Sequence, residues 1–387
     1  MQQSVIRSYP SFYSIGKSDV RLLECYWLGG VRLQDELPSN SFDALFAKAR
    51  CAVALQDSDS KSLELSASGG AFALFARSVL RVGGAVFGAS LIDNGTVRHI
   101  CIKRIDDLYK LQGSKYVKSN VADTYEECAH LLCKNTVVLY SGTPCQIAGL
   151  RKYLEKTVPK QVIANNLLCV DLICHGTPKQ EIFAAYLEWL ATKSKTDDGI
   201  HGYSFRSKKM GWGLNYYYYF YRRGRKHEVL GPARDDPYFA AFTKGVIYRR
   251  CCYKCPFARL ERVGDITIGD YWGIDSVHPG FSDGRGVSAV LINTSNGERF
   301  FNECCADECK WIKSTVESIA ANNSNLVKPA SRSADDERLA DEVERAISTG
   351  DHKLAFERLL APKISLMARI RRMLPWKLVR LVCGHGR

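Results

Sequence analysis

The sequence predicts an α/β fold with some α+β character: a mixed sheet with flanking helices, an inserted cysteine-bearing segment and a C-terminal helical tail. Two stretches, "TVVLYSGTPCQIAGLRKYL" and "NLLCVDLICHGTPKQEIFAAYLEWLATK", each follow the order strand, tight loop, helix. The dipeptide Asn94-Gly95 separates two further strand-like runs, and residues 203–231 have the pattern of antiparallel strands. Repeated strand–loop–helix units indicate a sheet whose ligands lie at the carboxyl ends of its strands.

Composition indicates a globular protein with a core of ordinary size. The 387 residues are 46% hydrophobic and 25% charged, and their number suits two or three domains. No run of about 18 apolar residues is present, and the N-terminus has no continuous apolar segment, so we expect a cytoplasmic protein. The net charge of +13 is compatible with nucleic acid, an anionic membrane surface or an anionic cofactor as a partner.

The predicted elements follow in order along the chain. Residues 1–50 are irregular, "CAVALQD" has a strand pattern, and apolar residues at helical spacing predict a helix over 72–80. "AVFGASL" and "TVRHICIKRI" form the predicted hairpin. Beyond the two strand–loop–helix units, residues 237–248 predict a helix that leads into a Cys-x-x-Cys pair. "DITIGDYW" and "GVSAVLINT" predict strands, 296–305 predicts a helix, and from residue 331 the chain is charged and helical in pattern.

Four of the 15 cysteines stand in settings that suit a metal. Disulfides are not expected in a cytosolic chain of this size, so metal binding or catalysis is the favoured use. "SGTPCQ" and "CHGTP" place Cys145 and Cys174 in loops with glycine and proline at predicted strand ends. Cys252 and Cys255 add a Cys-x-x-Cys pair. The total of four thiols is the number that a cubane cluster or a tetrahedral zinc ion requires.

These residues leave alternatives open. A proline directly after Cys255 is common in iron–sulfur segments, yet a lone Cys-x-x-Cys pair also occurs in zinc sites and without any metal. Cys145 and Cys174 could each be packing residues. Cys251 could replace Cys252 as a ligand, although Cys252 and Cys255 have the spacing that lets both thiolates reach one centre.

Glycine-containing turns are candidate sites for an anionic cofactor. "SASGGAF" opens a predicted helix whose free N–H groups suit a phosphate, although a tightly packed helix cap explains the same residues. "LQGSKYVKSN" brings Lys115 and Tyr116 beside a glycine turn, where they could contact a phosphate and a ring, or belong to a solvated loop. "SGTP" supplies another turn. Neither G-x-G-x-x-G nor a P-loop is present.

Seven motifs, in this order, resemble the coenzyme F420 hydrogenase/dehydrogenase beta-subunit family, especially its bacterial members found with polysaccharide-assembly enzymes. They are "SASGGAF", "GSKYVKS", "LYSGTPCQIAGLRKYL", "VDLICHGTP", "FRSKKMGW", "CCYKCPFA" and "DITIGDYWGI", and they extend from about residue 50 to residue 305. The resemblance implies an oxidoreductase that passes electrons between a 4Fe–4S cluster, FAD and an organic substrate. The segment around the Cys-x-x-Cys pair is then a cluster-binding insertion.

The resemblance also implies roles for particular residues. The implied cluster ligands are Cys145, Cys174, Cys252 and Cys255. The implied flavin contacts are Ser68, Gly69, Gly70, Gly113, Ser114, Lys115, Tyr116, Gly142 and Thr143. Asp270, in "GDYWG", is a candidate catalytic proton donor or polar anchor, with a turn-forming role as the alternative. Arg206, Lys208 and Lys209 could grip a phosphate-bearing substrate, or form a solvated loop.

One departure from the family pattern bears on the electron donor. Residues 1–50 contain only Cys25, and so lack the ferredoxin-like head with Cys-x-x-Cys-x-x-Cys runs that many members carry. We therefore predict this irregular segment, a flavin and iron–sulfur core over 51–330, and a charged helical tail over 331–387 with a basic amphipathic end. An external donor such as a ferredoxin would deliver electrons to a small-molecule or sugar-linked substrate.

Two other functions stand as alternatives. A zinc-stabilised nucleic-acid-binding module would use the basic, aromatic stretch "NYYYYFYRRGRK". Residues 216–221 alternate as a strand does, however, so half of them should face the core, and nucleic acid is not an expected partner. An inactive membrane-associated assembly factor would use the basic, apolar tail at 363–382, which Pro375 interrupts, for peripheral contact with the inner face of the membrane.

Overall fold

A mixed eight-stranded sheet is the centre of the computed structural model, which describes residues 43–92 and 95–362. The strands in these residues are β1 (Cys51–Asp57), β2 (Ala85–Leu91), β3 (Val97–Ile102), β4 (Val138–Gly142), β5 (Leu167–Leu172), β6 (His201–Ser204), β7 (Asn215–Arg222), β8 (Arg225–Pro232), β9 (Ile266–Asp270), β10 (Ser288–Ile292) and β11 (Cys309–Ser314). The large sheet has the order β11-β1-β10-β9-β5-β4-β2-β3, and β6-β7-β8 form a second sheet. The predicted α/β class with a mixed sheet is confirmed.

The middle of the large sheet is parallel, which brings several strand ends to one edge. β2 pairs with β4, β4 with β5 and β5 with β9, all in parallel, whereas the other pairings are antiparallel. In the register, Gly142 lies opposite Asp171, and Leu172 lies opposite Ile268. The loops that follow β4, β5 and β9 therefore emerge side by side, where α/β folds place their ligands.

Helices cover both faces of this sheet. The helices of the described residues, including those that pack on the second sheet, are α1 (Ser60–Leu65), α2 (Ala71–Arg81), α3 (Thr124–Cys133), α4 (Pro144–Thr157), α5 (Lys160–Asn166), α6 (Gln180–Ser194), α7 (Pro237–Thr243), α8 (Ile274–Val277), α9 (Ser295–Cys304), α10 (Val316–Ala320) and α11 (Ala334–Ser348). α2 and α9 pack on one face around Phe75, and α3 and α4 pack on the other around Ile147. A capping box between Thr143 and Gln146, with Pro144 in the first turn, begins α4 directly after β4.

The chain between β5 and β9 forms the predicted insertion. It contains α6, the three-stranded sheet, α7 and a 3-10 turn at Arg250–Lys254 that leads to Cys255. Tyr216, Tyr218 and Phe220 of β7 are buried in an aromatic core shared with α6 and α7. The residues between them lie on the outer face of the strand, as the alternating sequence predicts.

Some elements differ from those expected. The helix predicted over 237–248 ends at Thr243, because Gly245 adopts a φ of +71° and turns the chain towards the 3-10 turn. The sequence patterns predict neither α3 nor β11. β11 is an edge strand with four of its six residues exposed, so it lacks the apolar alternation that marks a buried strand.

Several predictions fall on parts of the chain that the structure does not describe. These are most of the irregular segment at 1–50, Asn94 of the hairpin turn, and the basic tail at 363–382 with Pro375. Across 43–92 and 95–362, no helix combines the length and the apolar character needed to span a membrane.

Candidate functional site

Two neighbouring hollows lie at the edge where β4, β5 and β9 end. The first, the cysteine cavity, is lined by five thiols: Cys145, Cys174, Cys251, Cys252 and Cys255. The second, the glycine-loop cleft, has a volume of about 1370 Å³ including its open mouth. Thr143 and residues 174–177 line both hollows, so one short stretch of chain forms a wall between them.

The fold brings the predicted cluster ligands together from three segments. Cys145 lies in the first turn of α4, directly after β4, and Cys174 lies two residues beyond the end of β5. Cys252 lies within the 3-10 turn, and Cys255 directly follows it. The backbone N–H of Arg249 donates to the carbonyl oxygen of Thr177 at 3.0 Å, which fastens this turn to the loop after β5.

Burial makes two thiols of the cysteine cavity, Cys174 and Cys255, costly to ionise. Burial, and then the neighbouring thiols of Cys252 and Cys145, raises the pKa of Cys174 to about 12. Burial and the same kind of neighbours also raise the pKa of Cys255. These two thiols are therefore neutral unless a positive centre stabilises their thiolates, and metal binding to cysteine releases such protons. This four-cysteine donor set fits an iron–sulfur cluster.

A single metal ion makes a stricter demand on geometry than a cluster does. Zinc holds thiolate sulfurs about 2.3 Å from one centre. Within the part of the chain that the structure describes, no three His, Cys, Asp or Glu side chains stand in position to hold one metal ion.

The glycine-loop cleft is lined by eight of the nine predicted flavin contacts. They are Ser68, Gly70, Gly113, Ser114, Lys115, Tyr116, Gly142 and Thr143. The ninth, Gly69, does not line the cleft. A Cβ at this position would lie 2.2 Å from the carbonyl oxygen of Leu55 and 2.3 Å from the amide nitrogen of Ser288. Gly69 is therefore required for close packing of its loop on β1 and β10.

The loop at 113–116 is held largely by its own contacts. The Lys115 ammonium donates to the carbonyl oxygen of Gln112 at 2.7 Å and to two other carbonyls of the same turn. Loss of hydration lowers the pKa of Lys115 to about 7. The ring of Tyr116 stacks on Phe242, with the ring centroids 4.2 Å apart. Lys115 thus closes the turn, and one face of the Tyr116 ring is already covered.

Arg206 uses all five of its N–H donors within the site. Its Nη1 and Nη2 bind the two carboxylate oxygens of Asp270 at 2.6 and 2.9 Å. Nη1 also donates to the hydroxyl of Tyr116, and Nη2 to the carbonyl oxygen of Ala67, both at 3.0 Å. Nε donates to the carbonyl oxygen of Gly213 at 2.9 Å. This fork geometry suits Asp270 as a polar anchor better than as a proton donor.

The two lysines that follow Arg206 are also engaged within the protein. The Lys208 ammonium donates to two backbone carbonyls, one of them that of Ser68 at 2.7 Å. Lys209 is exposed, and its ammonium lies 3.4 Å from a carboxylate oxygen of Glu228. The three cations considered for gripping a phosphate-bearing substrate therefore all have partners in the chain itself.

Sequence patterns missed His99, a buried residue of β3 that lines the cleft. Its ring stacks on Tyr140, its Nε2 lies 2.9 Å from the carbonyl oxygen of Ser141, and its Nδ1 lies 2.9 Å from Oγ of Ser119. Burial lowers the pKa of His99 to about 4. The signal that could have found it is a polar residue on the inward side of "VRHICI", two positions after Val97.

Comparison with known proteins supports the family that the motifs indicate. Residues 135–318 match the family model for the C terminus of the coenzyme F420 hydrogenase/dehydrogenase beta subunit, which confirms the predicted resemblance. No curated protein sequence matches this chain. A chain of the F420-reducing NiFe hydrogenase complex from Methanosarcina barkeri is 18% identical, with a TM-score of 0.46, over 81% of this chain and 93% of that chain. Nothing about function follows from so distant a likeness. Residues 135–318 of this chain are thus similar to the C terminus of the coenzyme F420 hydrogenase/dehydrogenase beta subunit.

Proposed function

We propose that this protein is an iron–sulfur flavoprotein oxidoreductase that passes electrons between a 4Fe–4S cluster, FAD and an organic substrate. One observation carries the proposal: the cysteine cavity and the glycine-loop cleft share the wall formed by Thr143 and residues 174–177. A cluster in the cavity and a flavin in the cleft would be direct neighbours. Placing the two groups next to each other is the protein's main contribution to electron transfer between them.

The proposed cluster ligands are Cys145, Cys174, Cys252 and Cys255. Cys252 is preferred to Cys251 because its two-residue spacing from Cys255 lets both thiolates reach one centre. The thiol of Cys252 is also the neighbour that raises the pKa of Cys174 most strongly after burial.

The cleft residues would bind and orient FAD. The turn around Gly70, which has a φ of +86°, lines the cleft at the start of α2, and N–H groups at a helix start suit a pyrophosphate. Asp270, held by Arg206, fixes the end of β9 at the cleft wall. When both groups are bound, the cluster supplies single electrons and the flavin exchanges an electron pair with the substrate.

The proposed electron donor is an external, acidic redox protein such as a ferredoxin. Lys118 and Arg249 line the cysteine cavity, and Arg250 and Lys254 are exposed in its 3-10 turn. Cys145 is exposed at the same cavity. A basic rim around a redox centre steers an acidic partner to it, and the steering weakens as salt increases.

The proposed substrate is a small-molecule or sugar-linked compound in polysaccharide biosynthesis. This part of the proposal is supported by the motif resemblance alone. Peripheral membrane contact through the tail at 363–382 stays a prediction, because that tail lies outside the described residues.

The proposal is tested by purifying the full chain without oxygen. Visible absorption, EPR of the reduced protein and identification of the flavin released on denaturation are then measured. We expect a brown protein with the EPR signal of a reduced 4Fe–4S cluster and with bound FAD. A colourless protein that contains zinc and no flavin would contradict the proposal and favour the zinc-stabilised alternative.

Neighbouring cysteine variants then identify the ligands. Cys252→Ser is expected to lose the cluster signal because it removes one of four thiolates, whereas Cys251→Ser should retain it. Cys133→Ser, at an exposed position that does not line the cavity, is the control for cysteine replacement in general. If Cys251→Ser alone loses the signal, the ligand is Cys251.

A further inference from the structure

A chain of hydrogen bonds runs from the wall of the glycine-loop cleft to a proposed cluster ligand. His99 Nδ1 lies 2.9 Å from Ser119 Oγ, and Gln146 Nε2 donates to the same Oγ at 3.0 Å. The other end of the Gln146 side chain, Oε1, accepts from the Thr143 hydroxyl at 3.0 Å. Thr143 Oγ1 in turn lies 3.1 Å from Cys145 Sγ. His99, Ser119 and Gln146 are buried, so water does not compete for the contacts among them, whereas the contact between Thr143 and Cys145 is exposed at the cysteine cavity.

The directions of these hydrogen bonds follow from the atoms involved. The carbonyl oxygen of Ser141 can only accept, so His99 Nε2 carries the proton and Nδ1 accepts from the Ser119 hydroxyl. Ser119 Oγ then accepts from the Gln146 amide, which leaves Gln146 Oε1 pointing at Thr143. The orientation of the Gln146 side chain is therefore fixed by the cleft wall.

The Thr143 hydroxyl has one proton and two candidate acceptors. While Cys145 carries its own proton, the S–H group donates to Oγ1 and the hydroxyl donates to Gln146 Oε1. A cysteine that binds iron is a thiolate and has no proton to give. Gln146 Oε1 also accepts from the backbone N–H of Thr143 at 3.0 Å, so it keeps a partner if the hydroxyl turns away. When the Thr143 hydroxyl turns towards the sulfur of Cys145, Gln146 Oε1 therefore still accepts a hydrogen bond.

We propose that Thr143 donates its hydroxyl hydrogen bond to the ligating sulfur of Cys145 and so raises the reduction potential of the cluster. This inference rests on the proposed function. A hydrogen bond to a ligating sulfur stabilises negative charge, and the reduced cluster carries one more negative charge than the oxidised one. The proton stays on the threonine oxygen, and the cluster gains only the electron that the donor supplies. Thr143 was expected to contact flavin; here it acts on the cluster.

The experiment is a redox titration of the full chain, purified without oxygen, with the reduced cluster followed by EPR. Thr143→Val removes the hydroxyl but nearly keeps the shape, and Thr143→Ala removes it without added bulk. Both are expected to shift the midpoint potential to a more negative value. Thr143→Ser keeps the hydroxyl and is expected to have the wild-type potential. Thr143 caps α4, so the melting temperature of each variant is measured to separate lost stability from a changed potential.

The outcomes separate this inference from the proposed function. If the wild type holds no cluster, the proposed function itself fails. If the cluster is present but Thr143→Val and Thr143→Ala retain the wild-type potential, the role of Thr143 is overturned while the proposed function stands. Loss of FAD from both variants at an unchanged potential would likewise overturn it, because it would show that Thr143 serves the flavin. Thr143→Ser should retain the property, midpoint potential or bound FAD, that Thr143→Val loses.

Discussion

His99 determines how the cleft wall responds to acid. The ring is buried and neutral, and burial lowers its pKa to about 4, whereas a histidine in an unfolded chain has a pKa of about 6.5. Between these values the unfolded chain binds the proton more readily, so stability rises with pH across this window and falls on acidification. From pH 7 to pH 5 this single group should cost about 2 kcal/mol of unfolding free energy. Urea unfolding at pH 7, 6 and 5 measures the loss.

Matched histidine variants isolate this contribution from that of the acidic residues. His99→Gln keeps an amide that can donate to Ser141 and accept from Ser119, but it does not titrate. Its unfolding free energy should therefore depend less on pH than that of the wild type. His130→Gln, at an exposed position, should leave the pH dependence unchanged. Equal slopes for the wild type and His99→Gln would show that His99 is not the titrating group.

At the scale of elements, Arg206 connects the insertion to the loops of the large sheet. It lies just after β6, and its guanidinium reaches the end of β9 at Asp270 and the two cleft loops at Ala67 and Tyr116. Lys208 adds a second contact, to the carbonyl oxygen of Ser68. The loop between β6 and β7 thus holds the cleft loops in place, although none of the residues that line the cleft belongs to β6, β7 or β8.

Arg206→Lys tests this connection. Lysine keeps the positive charge but cannot form a fork to both carboxylate oxygens of Asp270 while also reaching Ala67 and Tyr116. We expect the dissociation constant for FAD to rise at least about tenfold, which corresponds to about 1.4 kcal/mol. The cluster signal should remain, because none of these contacts involves the cysteine cavity. Fluorescence titration with FAD and EPR measure the two effects.

A nearby cation serves as the control for Arg206→Lys. Lys209→Met removes an exposed charge that contacts Glu228 and the ring of Tyr217 on the surface of the second sheet. Its FAD affinity should equal that of the wild type. If Arg206→Lys also binds FAD normally, the guanidinium contacts do not hold the cleft in its binding shape.

The elements that place the site were predictable because their signals are local. "LYSGTPCQ" shows the end of β4 and the start of α4 within eight residues, so Cys145 could be placed at a strand end from sequence alone. That Cys174 lies beside it follows from the parallel pairing of β4 and β5. Sequence could not show this pairing, because register between distant strands is decided by the packing of the whole sheet.

Long-range contacts explain why Gly69 and Arg206 were given other roles from the sequence than those that the structure shows. Gly69 has the neighbours of a phosphate loop, but it packs on the paired strands β1 and β10, whose contacting residues are more than 200 positions apart in the chain. Arg206 looks like a solvated cation in "FRSKKMGW", yet its partner Asp270 is 64 residues away. Neither contact leaves a periodic pattern, so only the folded chain reveals whether a cation faces a ligand or another part of the protein.

At the scale of the whole molecule, one aromatic core joins segments that the sequence separates. The core contains residues of α6, β7 and α7, together with Val343 of α11 and Phe356 of a π-helical segment at Leu354–Leu359. Phe356 contacts Tyr186 and Trp189, with ring centroids 5.5 and 5.6 Å apart. The division at residue 330 stays a prediction, but the first part of the predicted tail packs into the same core as the insertion.

This shared core predicts that the helical part of the tail stabilises the insertion and, through it, the two hollows. Phe356 is 1% exposed, so Phe356→Ala should lower the unfolding free energy by about 3–5 kcal/mol through lost burial and a cavity. Val327→Ala, at a position 56% exposed, should change it by no more than about 0.5 kcal/mol. Chemical denaturation of each protein in the same cluster and flavin state gives these values.

The insertion carries both Arg206 and the 3-10 turn with its cysteines, so damage to its core should reach both hollows. Phe356→Ala should therefore lose cluster and FAD at a lower denaturant concentration than the wild type, and lose them together with the unfolding of the chain. A variant that unfolds the aromatic core while the cluster signal persists would show that the cysteine cavity is stable by itself. In that case the large sheet alone, through β4 and β5, would organise the site. The tail would then stabilise only the aromatic core of the insertion.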